Sequence, residues 1–178
     1  DVPLVPSGEP DPEVQVVITP EVSGEITSLP VKEGARVRKG DLLMKIKPDT
    51  YVALRDRSMA ELMSAKANLQ RSESEYKRAH ELFAKGLISS SDLEQATTLN
   101  EVNKGQYAQS EAALKQADES LYKTTIYSPM EGTVSQLKVE LGERVLGTSQ
   151  FQGTTVMTVA DLSRMEARVD VSENDVIL

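Results

Sequence analysis

Hydrophobic positions along this chain change their period twice. Between Val14 and Lys47, short apolar alternations such as "VQVVITP", "GEITSLPV" and "DLLMKIK" are broken by Gly24, Gly34 and Gly40. This pattern predicts strands of roughly three to six residues joined by tight turns. Beyond Pro48 the period lengthens. From Tyr51 to Lys85 there is neither Pro nor Gly, and Leu62, Leu69, Tyr76 and Phe83 recur every seven residues. Ala65, Ser72 and Ala79 fall between them, so the segment reads as a heptad seam on a long helix. "KGLISSSDLE" interrupts the seam, and Ser91 with Glu94 reads as a capping box for a second helix. That helix carries Leu93, Ala96, Asn100, Asn103, Tyr107, Ser110, Leu114, Ala117 and Leu121 at alternating spacings of three and four. After Tyr122 the strand-like text returns.

The two seams fit each other as an antiparallel hairpin. Large layers then pair Phe83 with Leu93, Tyr76 with Asn100, Leu69 with Tyr107 and Leu62 with Leu114. Small layers pair Ala79 with Ala96, Ser72 with Asn103, Ala65 with Ser110 and Ser58 with Ala117. Alternating thick and thin layers suit interdigitated packing, and asparagines on the seam weaken it while favouring one register. At about 1.5 Å per residue each arm would reach about 50 Å. A seam this narrow cannot close into a globule, so an elongated molecule with a projecting arm is expected.

The strand-like text is written twice. "VSGEITSLPVKEGARV" (22–37) and "MEGTVSQLKVELGERV" (130–145) align at an offset of 108, matching Gly24 with Gly132, Ile26 with Val134, Gly34 with Gly142 and Val37 with Val145. Gly40, Leu43, Met44 and Ile46 then match Gly153, Val156, Met157 and Val159 at an offset of 113. The surplus lies within "LGTSQFQG". Each copy is too short to bury its apolar face alone. The two are therefore expected to complete one β-sandwich, residues 16–46 with 126–160, related by an approximate two-fold axis. Gly24 and Gly132 are expected in equivalent turns, as are Gly34 and Gly142.

Composition narrows the function classes. Hydrophobic residues make up 39% and aromatic residues 4%, with no Trp, which argues against a single thick-cored globule. A net charge of −8 disfavours a phosphate-binding surface, so nucleic acid is not an expected partner. Without cysteine there is no disulfide framework and no thiolate metal site. No apolar run is long enough to span a bilayer. The chain starts at Asp1 and ends on "VSENDVIL", and reads as a piece of a longer protein.

The half-motif "G-x-[IV]-x-x-L-x-V-x-x-G-x-x-V", present twice and flanking a coiled-coil hairpin, resembles the membrane fusion proteins, the HlyD-type periplasmic adaptors of bacterial efflux and secretion systems. Either half-motif alone is common in biotinyl and lipoyl domains; the split pair with this insertion is not. The resemblance implies an α+β molecule: a split lipoyl-like β-sandwich with an inserted antiparallel α-helical hairpin, plus the start of a β-barrel domain. It divides the chain into a half-motif at 14–48, a hairpin at 49–124 with its tip at about 85–91, a second half-motif at 125–161 and the barrel entry at 162–178. Met165 to Val171 would be the first barrel strand. The Pro-rich residues 1–13 stay unassigned.

The resemblance further implies a periplasmic protein anchored to the inner membrane by a segment outside this chain. Its role would be to bridge an inner-membrane ABC or RND-type transporter to an outer-membrane channel, and copies would associate into a ring. Many members carry Arg, then Leu four residues on, then Ser seven further, at the channel-docking tip. "RAHELFAKGLIS" supplies Arg78, Leu82 and Ser89 at that spacing. An Arg fork suits carbonyls or carboxylates of a partner helix. Read without the resemblance, the three are a solvated Arg, a Leu covering the hairpin end and a turn Ser.

Rival readings fare less well. Lys45 in "LLMKIK" invites comparison with biotin carriers, but there the modified lysine sits at the join of the halves, which here is the hairpin near Thr50. A purely structural coiled-coil scaffold would not need a duplicated base. Met59 and Met63, one helical turn apart, could attract a soft cation, yet Met also fills gaps in helical seams. His80 is the only histidine and cannot form a multi-His site. No nucleophile–base set, phosphate loop or HExxH pattern is present, so neither an enzyme nor a cofactor is expected.

Overall fold

The half-motifs form strands whose pairing is dictated by their duplication. In a computed structural model, residues 10–12, 14–148, 152–161 and 165–167 are described. The first copy supplies β2 (Gln15–Ile18), β3 (Gly24–Ser28), β4 (Arg36–Val37) and β5 (Leu42–Ile46). The second supplies β6 (Thr125–Tyr127), β7 (Gly132–Leu137), β8 (Arg144–Val145) and β9 (Met157–Ala160). One sheet runs β2-β9-β7-β4 and the other β6-β5-β3-β8. Each sheet therefore takes two strands from each copy, and neither copy builds a sheet alone.

The equivalence extends to the register. Ile26 faces Ile46 as Val134 faces Val159, and Gly24 faces Val145 as Gly132 faces Val37. Both central pairs shift register at the same place, between Ile26 and Ser28 and between Val134 and Gln136. The core repeats too: Ile26, Val37, Leu43, Met44 and Ile46 are buried, as are their counterparts Val134, Val145, Val156, Met157 and Val159. Alternating apolar residues from both copies thus line one interior, and complete burial of each is worth about 1.5–3 kcal/mol. The surplus of the second copy is tied down where Gly147 donates its amide hydrogen to Ser23 Oγ at 2.8 Å.

Two of the four motif glycines are not turn residues. Gly34 and Gly142 have φ of 82° and 87°, the left-handed region that glycine enters freely. Gly24 and Gly132 instead open β3 and β7, with no positive φ. They are small because neighbours crowd them: a Cβ on Gly24 would lie 2.5 Å from Ile46 Cγ2, and one on Gly132 2.6 Å from the Ala160 carbonyl oxygen. The turn expectation for these two is corrected to close approach between paired strands.

The Pro-rich segment gains a partner. β1 (Pro10–Pro12) pairs antiparallel with β10 (Met165–Ala167), with Asp11 opposite Glu166. Prolines are tolerated because a two-stranded ribbon is all edge. The expected strand to Val171 extends outside the described residues.

The chain forms two compact units, residues 1–47 with 124–178, and residues 48–123. In the first, the Ile46 amide donates to the Thr124 carbonyl at 2.7 Å, so the strands that lead out to the insertion and back from it are neighbours. The second unit is the hairpin: α1 (Asp49–Ala84) and α2 (Ser90–Tyr122), 36 and 33 residues long. No helix among the described residues is long and apolar enough to cross a membrane.

The hairpin seam is thinner than its heptads suggest. Fully buried positions are the small ones: Ser58, Ala65 and Ser72 on α1, and Asn100, Ser110 and Ala117 on α2. Leu62, Leu69, Tyr76, Leu93, Tyr107 and Leu114 are only half-buried, and Phe83 is 42% exposed. Two helices alone cannot enclose a large side chain. Small residues sit on the line of closest approach, and large ones lie against its flanks with an open side to water. The expected large layers are therefore flanks, not an enclosed core. Ser72 donates a hydrogen bond to Asn100 Oδ1 at 3.3 Å, whereas the expected partner was Asn103, one helical turn away.

Candidate functional site

The hairpin tip is built by a stop signal and a start signal set side by side. α1 ends where Gly86 turns left-handed, φ 70°. The Gly86 amide donates to the Phe83 carbonyl and the Leu87 amide to the Leu82 carbonyl, each at 2.9 Å. This paired closure satisfies carbonyls that a helix end leaves open. α2 starts at once. Ser89, with extended backbone, is its N-cap and accepts from the Asp92 amide at 3.2 Å, while Asp92 Oδ2 accepts from the Ser89 amide at 3.1 Å and from Ser89 Oγ at 2.7 Å.

The capping box is thus Ser89–Asp92, not Ser91–Glu94. The run "SSSDLE" holds the S-x-x-[DE] pattern twice. The earlier copy wins because the Gly86 closure positions Leu87 and leaves Ser89 as the first residue free to cap. The hydrogen bonds from the Ser89 side chain and then from its backbone hold the Asp92 carboxyl below its ordinary value.

Arg78 and Leu82 lie four residues apart on the last turns of α1, one exposed and the other half-buried. No ion pair with another described residue engages Arg78. Its guanidinium is therefore available to an acceptor brought by a partner. Ser89 is different, since both its hydroxyl hydrogen and an oxygen lone pair serve Asp92. Leu82 likewise has a structural duty through its carbonyl. Sequence reasoning passed over Leu87, 66% exposed, and the exposed face of Phe83. The glycine of "KGL" signals where α1 closes but not that Leu87 is exposed, since the residue after such a closure often packs back onto the helix.

Other singled-out residues lie elsewhere. His80 is exposed with its ring 6.1 Å from that of Tyr76. Met59 and Met63 are 47% and 68% exposed. Lys45 is an exposed residue inside β5, flanked by Ser28 on β3 and Thr125 on β6 rather than placed at a turn.

Comparison with known proteins bears on the arrangement as a whole. The family model described as "RND MFP, barrel-sandwich hybrid domain" matches residues 14–158. The chain is 30% identical over 188 aligned residues to the macrolide export protein MacA of Escherichia coli O157:H7, covering 98% of this chain and 50% of that protein. It is 25% identical to the multidrug resistance protein MdtA of Yersinia enterocolitica, over 90% of this chain and 36% of the relative. Among solved structures, MacA from Actinobacillus actinomycetemcomitans superposes with a TM-score of 0.81 at 31% identity, over 95% of this chain and 56% of that one. The chain spans about half the length of the MacA relatives it matches. Two copies of one strand motif that complete each other's sheets, with a helical hairpin set between them, place this chain in the RND membrane fusion protein family, the family of efflux adaptors, as its barrel-sandwich hybrid domain.

Proposed function

We propose that this chain is the sandwich-and-hairpin part of a periplasmic adaptor that links an inner-membrane transporter to an outer-membrane exit channel. The protein does no chemistry. It works in the periplasm, attached to the inner membrane, as a ring of several copies around the export path. Relatives named for macrolide export and multidrug resistance support small toxic molecules as the cargo. Family membership supports the adaptor over a swinging-arm carrier or a bare scaffold.

The observation that carries the reading is the tip. A pair of helices, each about 50 Å long, ends in a doubly capped bend that presents Arg78, Phe83 and Leu87 outward. Such capping restricts residue choice at Gly86, Ser89 and Asp92 and gains a fixed shape at the point most distant along both helices from their open ends. A rigid, partly apolar tip with one free guanidinium suits docking against another protein's helix ends.

The test places a cysteine at Leu87 in the full-length protein, with any cysteine outside these 178 residues replaced, since this stretch has none of its own. A bifunctional crosslinker in living cells should then recover peptides of an outer-membrane channel. Export running normally with no channel peptide recovered from Leu87→Cys would overturn the proposal.

A further inference from the structure

The middle of the hairpin combines a helix-interior glycine with a polar crossing between the two helices. Gly105 lies at the midpoint of α2, in unbroken helix, with no positive φ. A Cβ built on it meets nothing within 4 Å. Neither conformation nor packing among the described residues explains a glycine there, and a helix-interior glycine makes local opening about fivefold easier than alanine does.

Five residues away, the seam crosses from helix to helix through Ser72 and Asn100. Both are buried, yet the Ser72 hydroxyl has one hydrogen for two acceptors, Asn100 Oδ1 at 3.3 Å and its own helix's Leu69 carbonyl at 3.0 Å. The crosslink is therefore shared, not a full hydrogen bond. Two residues further on, Ser74 Oγ donates to the Gln70 carbonyl at 3.0 Å, a back-bond that weakens and bends helices. The only fully buried apolar side chains in the hairpin, Ala65 and Ala117, lie outside this zone.

We propose that residues 70–74 of α1 and 100–105 of α2 form a flexure point, a built-in place where the arm bends while both of its halves stay helical. Each element acts in the same direction. The glycine lowers the cost of opening α2, the serine back-bonds lower it for α1, and the shared polar contact replaces the apolar layer that would hold the two together. Bending at mid-arm changes the direction of the tip without disturbing either its capped bend or the strands of the sandwich.

Amide hydrogen exchange on the 178-residue chain tests this. Amides 103–109 should exchange at least about fivefold faster than amides 112–116 on the same helix. Gly105→Ala should slow 103–109 by about fivefold and leave 112–116 unchanged. The double change Ser72→Ala with Asn100→Leu, which turns the polar contact apolar, should slow exchange at 72–76 and at 103–109 together. Uniform protection along α2 would overturn the flexure. So would a double variant with unchanged exchange at 103–109, since the glycine would then be isolated and better explained by close approach of a partner.

Discussion

The amide of Gly34 donates a hydrogen bond to the carbonyl of Val134 at 2.8 Å, joining the first copy of the motif to the second. The reciprocal bond, from Gly142 to Ile26, is 2.9 Å. The insertion of residues 48–123 between the copies does not separate them in the fold. Each glycine turn closes onto the strand of the other copy, and cooperation between the halves follows from that exchange.

Gly132→Ala should therefore destabilise both halves at once. The added methyl meets the Ala160 carbonyl oxygen and Val159 Cγ1, on a neighbouring strand that cannot yield without moving β9. A loss of about 1–3 kcal/mol is expected, seen as a lower midpoint for a single unfolding transition of the sandwich. Gly105→Ala, where nothing stands in the way, should not lower stability. Two separate transitions in Gly132→Ala would show that the halves fold independently.

Ser89→Ala should cost about 1 kcal/mol of helix stability through loss of the cap. Its partner makes the effect depend on pH. The Asp92 carboxyl is held below its ordinary 3.8 when folded, so its contribution is complete above that value and fades as pH falls through the lowered one. Thermal unfolding of Asp92→Asn and of the unaltered protein should differ at neutral pH and converge in acid. A difference that persists at the acid end would mean the carboxylate charge is not what matters.

Much of this was legible in the sequence, and the failures share one cause. Strand text written twice gave the sandwich, because apolar alternation and the glycine spacing report directly on burial and on turns. The heptads gave the hairpin. Periodicity could not say how deeply a two-helix seam buries its members, so Phe83 reads as core and lies 42% exposed. Nor could it separate two glycines that turn from two that merely make room, since both needs select the same residue. At the tip, two overlapping S-x-x-[DE] patterns differ only in which serine the preceding glycine closure leaves free. Ser91 with Glu94 therefore reads as the capping box that Ser89 and Asp92 form. Competition between local hydrogen bonds is decided in three dimensions.

Register along the arm can be measured with cysteines at Ala65 and Ser110, both buried. Oxidation should join them without loss of helicity, whereas Ala65→Cys with Asn103→Cys, one heptad away on α2, should not crosslink. Reaction of the displaced pair in preference would place the helices one heptad from the alignment described.

The adaptor reading itself is tested most directly by reversing the charge at the tip. In cells lacking their own copy, full-length Arg78→Asp should leave adaptor abundance and thermal stability nearly unchanged. Exposed positions away from packed features usually shift stability within about 0.5 kcal/mol. Export should nevertheless be lost, since reversed charge at a docking contact costs several times that. Leu82→Ala should weaken export less, and Glu111→Lys, on an exposed stretch of α2, should do little. The account predicts loss of export by Arg78→Asp at wild-type abundance; normal export by that variant would contradict docking through this tip.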